Sequence, residues 1–266
     1  MEQFRGARGV LRIPPTHVDR PVYARRAGGN AERQQELPTK ALIDQAKAGR
    51  STRDAAMGSG WIAYAQWDAS QSGTPLTSFT ASWKVPPPPV TMSEQLIYLF
   101  NGITNYGSVV GILQPVLQWG LSATGGGPFW SVSSWYAVSN NQGFHTKAVR
   151  VEPGQLLTGA ITMTGEYQGT YSYSSEFQGI DGTWLGVEMI PELLVCSVTL
   201  EAYDLTACSD YPDTGLTSFV SLKVETGVGV APVNWTPLNP VQDCGQSAEI
   251  VNNSGDDGQV NIHYRA

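Results

Sequence analysis

Few of this chain's 266 residues carry charge: 15% are Asp, Glu, Lys or Arg, well under the quarter usual for globular proteins. Ser, Thr, Gly, Gln, Asn and aromatic residues fill the deficit, a mixture that suits β-sheet surfaces and turns better than helices. Histidine is nearly absent. Of His17, His145 and His263 only His145 is interior, and beside a Gly-rich turn it reads as structural rather than catalytic. Cysteine is limited to Cys196, Cys208 and Cys244. Without a CxxC or a Cys/His cluster, no metal site is expected. One disulfide with a leftover thiol is compatible with the count, and the pairing stays open. No apolar run reaches 18 residues, so no membrane span is expected. The first residues, "MEQFRGARGVLRIPPTHV", lack the apolar core of a secretory signal. The P-loop, GxSxG and HExxH patterns and a strand-linked GxGxxG are all missing, and no cofactor is expected. "TGGGPFW" at 124–130 precedes a strand, so it lacks the helix N-terminus of a phosphate cradle.

What charge there is lies unevenly. Residues 1–58 hold 11 of the 16 Lys and Arg against 6 acids, a net of +5, while residues 59–266 carry a net of −12. An acidic domain over 59–266 thus follows a basic leader over 1–58. The acidic domain disfavours nucleic acid as a partner. The opposite charges suit a leader that docks on the domain as an inhibitor and lets go when carboxylates are protonated. Within the leader, residues 1–37 have the composition of a poorly ordered segment. "TKALIDQAKAG" at 39–49 predicts a short helix, with Thr39 as N-cap and Gly49 as its stop.

From Trp61 onward the texture changes to short runs of β-formers. Eleven of them, from "WIAYAQW" to "QVNIHYRA", alternate with turn-rich segments, and no convincing helix separates them. That pattern predicts an all-β, two-sheet antiparallel β-sandwich after a short, partly helical leader. The hydrophobic share of 41% is ample for a core. No 20–50-residue repeat suggests a propeller or solenoid.

The chemistry must then come from carboxylates and amides on strands. In "GILQPVLQWG" at 111–120, Gln114 and Gln118 are four residues apart and share one strand face. In "SVTLEAYDL" at 197–205, Thr199, Glu201 and Tyr203 share a face, opposite Val198, Leu200 and Ala202. Glu201 and Asp204 do not have the spacing that sets two carboxylates on one sugar. Glu188 and Glu192 do, but Pro191 interrupts them.

Taken in order, "GSGWIAYA" (58–65), "SFTASWKVPPPP" (78–89), "FNGIT" (100–104), "ILQPVLQWG" (112–120), "WYAV" (135–138), "VEPGQLLTGAIT" (151–162) and "EAYDLTACSDYPDTGLTSF" (201–219) resemble the eqolisin family of glutamic peptidases. The resemblance implies a concanavalin-like, lectin-type β-sandwich and a secreted, acid-acting endopeptidase made as a zymogen. It would act as a monomer on polypeptides. The family's catalytic Gln maps to Gln114 and its Glu to Glu201. Trp61, Phe100 and Gln118 then fall to the substrate cleft. Three positions depart from the family pattern: Pro115 follows Gln114, Ser134 stands where a Glu is usual, and Phe100 replaces a Trp. A register four residues earlier puts Ser197 in the Glu slot, and that alternative stays open. Pro115 in mid-strand predicts a sheet edge or a bulge.

Under this resemblance the carboxylate of Glu201 takes a proton from water and returns it to the leaving amine, while the Gln114 amide stabilises the oxyanion. The two side chains are expected to share one water. Two other readings compete. One is a lectin-like module with Trp61, Trp130 and Trp135 as sugar platforms. The other is a glycosidase with a second carboxylate near Glu201. "NWT" at 234–236 and "NNS" at 252–254 fit glycosylation acceptors.

Overall fold

The structure is a computed structural model. It describes residues 57–105, 110–138 and 142–265, together with the backbone of four short strands in the leader. Twenty strands are numbered in chain order. Sheet one runs, edge to edge, through β18 (Thr236–Leu238), β5 (Gly60–Asp68), β15 (Val195–Tyr203), β7 (Leu96–Thr104), β8 (Gly111–Ser122), β9 (Gly125–Val138), β10 (Gln142–His145) and β4 (Gln35–Glu36). Strand β11 (Val149–Arg150) also pairs with β9. Sheet two runs through β19 (Ser247–Asn252), β20 (Gly258–His263), β16 (Leu216–Thr226), β6 (Leu76–Lys84), β12 (Leu156–Tyr167), β13 (Thr170–Phe177), β14 (Leu185–Ile190) and β3 (Tyr23–Arg26), with β17 (Gly229–Val230) on β16. Strands β1 (Phe4–Arg5) and β2 (Leu11–Arg12) pair only with each other. All the pairings are antiparallel.

The two-sheet antiparallel β-sandwich is the architecture that the texture of the sequence implies. Alternation drives it. In β6, Phe79, Ala81 and Trp83 turn inward and are buried, while Lys84 at its end is exposed. Trp83 anchors the middle of the core, 4.8 Å from Phe219 and 5.6 Å from Phe177 between ring centroids. Burying one such aromatic is worth about 3 kcal/mol.

Two polar ties also cross between the sheets. Asn101 Nδ2 donates to Phe79 O and Gly159 O at 3.4 Å each, and Ser175 Oγ donates to Ser134 Oγ at 3.2 Å. Strand β8 is interior, with β7 on one side and β9 on the other, so Pro115 does not mark an edge. Instead, the β7–β8 pairing lapses at Asn101 and Gly102, between Phe100↔Val116 and Ile103↔Leu113. Proline lacks the N–H a ladder bond needs.

Three further expectations need correction or placement. Four short strands form within residues 1–37, where composition suggested little order. Two of them add to the domain: β4 pairs with β10 on sheet one and β3 with β14 on sheet two. The helix expected over 39–49 lies outside the described residues. The cysteine pairing is Cys208–Cys244, leaving Cys196 buried as a free thiol. The disulfide ties the turn after β15 to the segment before β19. There Asp243 accepts the Gly58 N–H at 2.7 Å, which pins the start of the domain beside it.

Candidate functional site

Sheet one has one face in the core. Its other face, turned away from sheet two, carries a separate cluster. Phe100, Val116 and Trp135 are buried there, with Trp61, Tyr98 and Ile112 packed over them. Strand periodicity puts Gln114, Gln118, Ser197, Thr199, Glu201 and Tyr203 on this same face.

The ladder register then separates them. Glu201 stands opposite Trp61 on β5 and opposite Tyr98 on β7, and Tyr98 stands opposite Gln118 on β8. Ser197 pairs with Gly102, and the register that joins Ile103 to Leu113 sets Gly102 level with Gln114. Gln114 in turn faces Trp135, and Trp135 faces His145. So Gln114 shares a row with Ser197, and Glu201 shares a row with Gln118. Two strand spacings of ~4.8 Å and four residues of ~3.4 Å leave the Cα atoms of Gln114 and Glu201 roughly 17 Å apart. That is too far for one water held by both side chains, against the sharing that the resemblance implied. The reason is register: equal spacing from a motif does not place residues at equal height on strands that are not neighbours.

Glu201 is half-buried, and Tyr203 donates its hydroxyl to Oε1. Burial pushes the carboxyl from its ordinary value near 4.5 up to about 7, against the bond from Tyr203, which pulls it down. Tyr98 and Tyr203 sit with ring centroids 6.5 Å apart. Burial and then the charge on Glu201 lift both phenols above the usual tyrosine range. The ladder neighbours of Glu201 are thus aromatic, and none is acidic. A glycosidase pair has no second carboxylate in this row.

The other nominated residues have different roles. Gln118 is fully buried and all of its amide is engaged. Nε2 donates to Gly120 O (3.0 Å) and Gly125 O (2.8 Å), and Oε1 accepts from Ser122 Oγ (2.9 Å) and Thr124 Oγ1 (3.0 Å). It knits the β8–β9 hairpin and does not line a cleft. Gly126 (φ 107°) is part of that fit, because a Cβ there would collide with Gln118 Nε2 and Gly120 O. Phe100 is likewise wholly buried, beneath the face, and not on a cleft wall. Trp61 is partly exposed and packs edge-on against Tyr64 (4.9 Å) and Phe100 (5.9 Å). Gln114 keeps Oε1 buried and without a hydrogen-bond partner.

The lectin-like row fails on geometry. Trp130 lies in the main core against Trp119 at 5.4 Å, so Trp61, Trp130 and Trp135 do not share a face. His145 is 9% exposed, its Nδ1 3.0 Å from Thr146 O and its ring 4.8 Å from Trp135. Sequence reasoning missed Tyr98 and Ser122. The available signal was their parity with Phe100 and Gln118 on strands already identified. Among the described residues, no three His, Cys, Asp or Glu side chains gather into a metal site, and no helix is long and apolar enough to cross a membrane.

No family model matches the chain, and a search of curated proteins finds no match. Solved structures do. The chain is similar to scytalido-glutamic peptidase with a peptide-based transition-state analogue, at a TM-score of 0.51 and 13% identity, covering 79% of this chain and 100% of that one. A second structure of that peptidase, with a transition-state analogue inhibitor, gives a TM-score of 0.51 and 14% identity over the same shares. SCP-B, a member of the eqolisin family in complex with the tripeptide Ala-Ile-His, follows at a TM-score of 0.47 and 14% identity. What the chain shares with the glutamic peptidases is their fold.

Proposed function

We propose that this chain is a hydrolase of polypeptides, with Glu201 as its acid–base group. The observation that carries the reading is a half-buried carboxyl on the outer aromatic face, held by Tyr203 and raised to about 7. A group of that pKa can take a proton from water and give it to a leaving amine near neutral pH. At the acid optimum that the resemblance implied, Glu201 would be almost wholly protonated and unable to act as a base. The working range follows as pH 6–8, roughly one unit on either side of that value. An extended polypeptide crossing the face from Glu201 to Gln114 would span the roughly 17 Å in about five residues. Gln114 is then too far from Glu201 to stabilise the oxyanion, and its buried Oε1 leaves only the rest of its amide to face a bound chain.

The leader is proposed as an inhibitor. Gly60 pairs with Ala202, so the leader enters the sandwich one residue from Glu201, and its net charge opposes that of the domain. The Cys208–Cys244 disulfide suits an extracellular setting.

A second reading rests on one observation: the row of Gln114 holds Ser197 where a Gln–Glu pair would need a carboxylate. On that reading the face binds polypeptide without cutting it. The test is turnover of an unstructured protein across pH 3–9 by the wild type and by Glu201→Gln. Activity rising through pH 7 and lost in Glu201→Gln supports the hydrolase. Binding without turnover at any pH favours the second reading.

A further inference from the structure

If Glu201 activates a water, the tetrahedral oxyanion that results needs a donor within about 3 Å. Gln114 is too distant. Both N–H groups of Gln118 are spent on Gly120 and Gly125. The Thr199 hydroxyl donates to Ser197 at 3.2 Å, and the Tyr203 hydroxyl donates to Glu201 itself. Tyr98 remains. It stands directly opposite Glu201 in the β7–β15 ladder, on the same face, where directly paired side chains start only about 5 Å apart.

We infer that Tyr98 is the oxyanion donor of this site, and that Ser122 and Gln118 are the residues that position it. The inference rests on the hydrolase reading of Glu201. Three features support it. Tyr98 stands opposite Gln118 in the β7–β8 ladder, and Ser122 Oγ donates to Gln118 Oε1 at 2.9 Å, so the phenol rests beside a hairpin whose side chains are themselves held. The ring is clamped on two sides, with centroids 6.5 Å from Trp135 and 6.5 Å from Tyr203. The phenol also stays protonated, since burial and the Glu201 charge both oppose its ionisation. Rotation about the Cζ–O bond turns the phenol proton toward a ligand without moving the ring.

The step balances. The water oxygen bonds to the scissile carbonyl carbon, its proton passes to Glu201, and the carbonyl oxygen becomes an oxyanion held by the Tyr98 O–H. The C–N bond then breaks as Glu201 returns the proton to the leaving nitrogen. The phenol gives a hydrogen bond and keeps its proton.

Tyr98→Phe in the full-length chain tests this, because Phe keeps the ring and removes only the hydroxyl. The expected result is a fall in kcat of ~100- to 1000-fold with KM changed by less than ~3-fold. A peptide phosphonate, whose tetrahedral anion mimics the oxyanion, should lose affinity by a similar factor, while an uncleaved peptide ligand keeps its own. Ser122→Ala should lower kcat by a smaller factor, again without a change in KM, and Ser122→Thr should restore it. Wild-type kcat in Tyr98→Phe overturns the inference and leaves the hydrolase reading standing. Equal loss of phosphonate and ground-state peptide also overturns it, because the ring contact alone would then be at work. A wild-type chain without turnover overturns the hydrolase reading and this inference together.

Discussion

Replacing Glu201 by Gln should do two things that point in opposite directions. The carboxyl lies in a setting that lifts its pKa from 4.5 to about 7. In the unfolded chain the same group ionises near its ordinary value. For a carboxyl with a raised folded pKa, stability is full below the unfolded value and is lost as pH climbs through the folded one. The difference of about 2.5 pH units corresponds to ~3 kcal/mol, at about 1.4 kcal/mol per unit. Gln is neutral at every pH and keeps an acceptor for Tyr203. Glu201→Gln should therefore match the wild type at pH 4, where both side chains are uncharged. At pH 8 it should be more stable by up to ~3 kcal/mol, while turnover is lost. Urea denaturation at the two pH values reads this directly. With a slope of ~2–3 kcal/mol/M for a domain of this size, the midpoint at pH 8 should rise by about 1 M and the midpoint at pH 4 should not move. An equal shift at both pH values would refute the reasoning, since a packing effect would not know the charge state. A loss of stability at pH 8 would mean that the ionised carboxylate is held by more than Tyr203.

Tyr203→Phe removes the one bond that favours the Glu201 carboxylate; a hydrogen bond to a charge is worth ~1.5–3 kcal/mol, so the pH–rate inflection should move upward by about one to two pH units, and an unmoved inflection counts against the pairing. Gln118→Ala breaks four buried hydrogen bonds and should destabilise the fold by ~4 kcal/mol, read as a lower melting temperature. Asp210 is 1% exposed; its burial is outweighed by bonds from Thr91, Thr206 and Ala207, which together hold its pKa below the usual value. Its contribution is present above the unfolded carboxyl range and is lost as pH falls through the lowered value. Asp210→Asn should therefore cost stability at pH 7 and little at the acid extreme, measured by denaturation at both. Finally, the full-length chain at pH 7 should turn over substrate more slowly than chain cleaved to begin near residues 58–61. Equal rates would remove the inhibitor role from the leader.

Much of the sandwich was legible from Trp61 onward, because alternation is a local property. "TSFTASWK" and "SVTLEAY" each sort their residues onto two faces with no help from the rest of the chain, and the parity of Gln114, Gln118 and Glu201 followed from the same rule. The strands that escaped notice, such as Leu185–Ile190 and Ser247–Asn252, have weak alternation and gain their order from neighbours on both sides or at an edge. The leader strands β3 and β4 form only as additions to existing edges, which composition cannot register.

The site divides along the same line. A sequence by itself states which face of its strand a residue takes. It does not state how high that strand sits against another strand distant in sequence. Glu201 and Gln114 were placed on the right face and paired across the wrong row, because two ladders and the residues of β7 lie between them. Cross-strand register is set by the packing of both sheets and by where ladder bonds can form, and Pro115 interrupts those bonds at the very position in question. Tertiary structure alone decided that Glu201 meets two tyrosines and a tryptophan, that Ser197 faces Gln114 across a glycine, and that the Gln118 amide is consumed by its own hairpin.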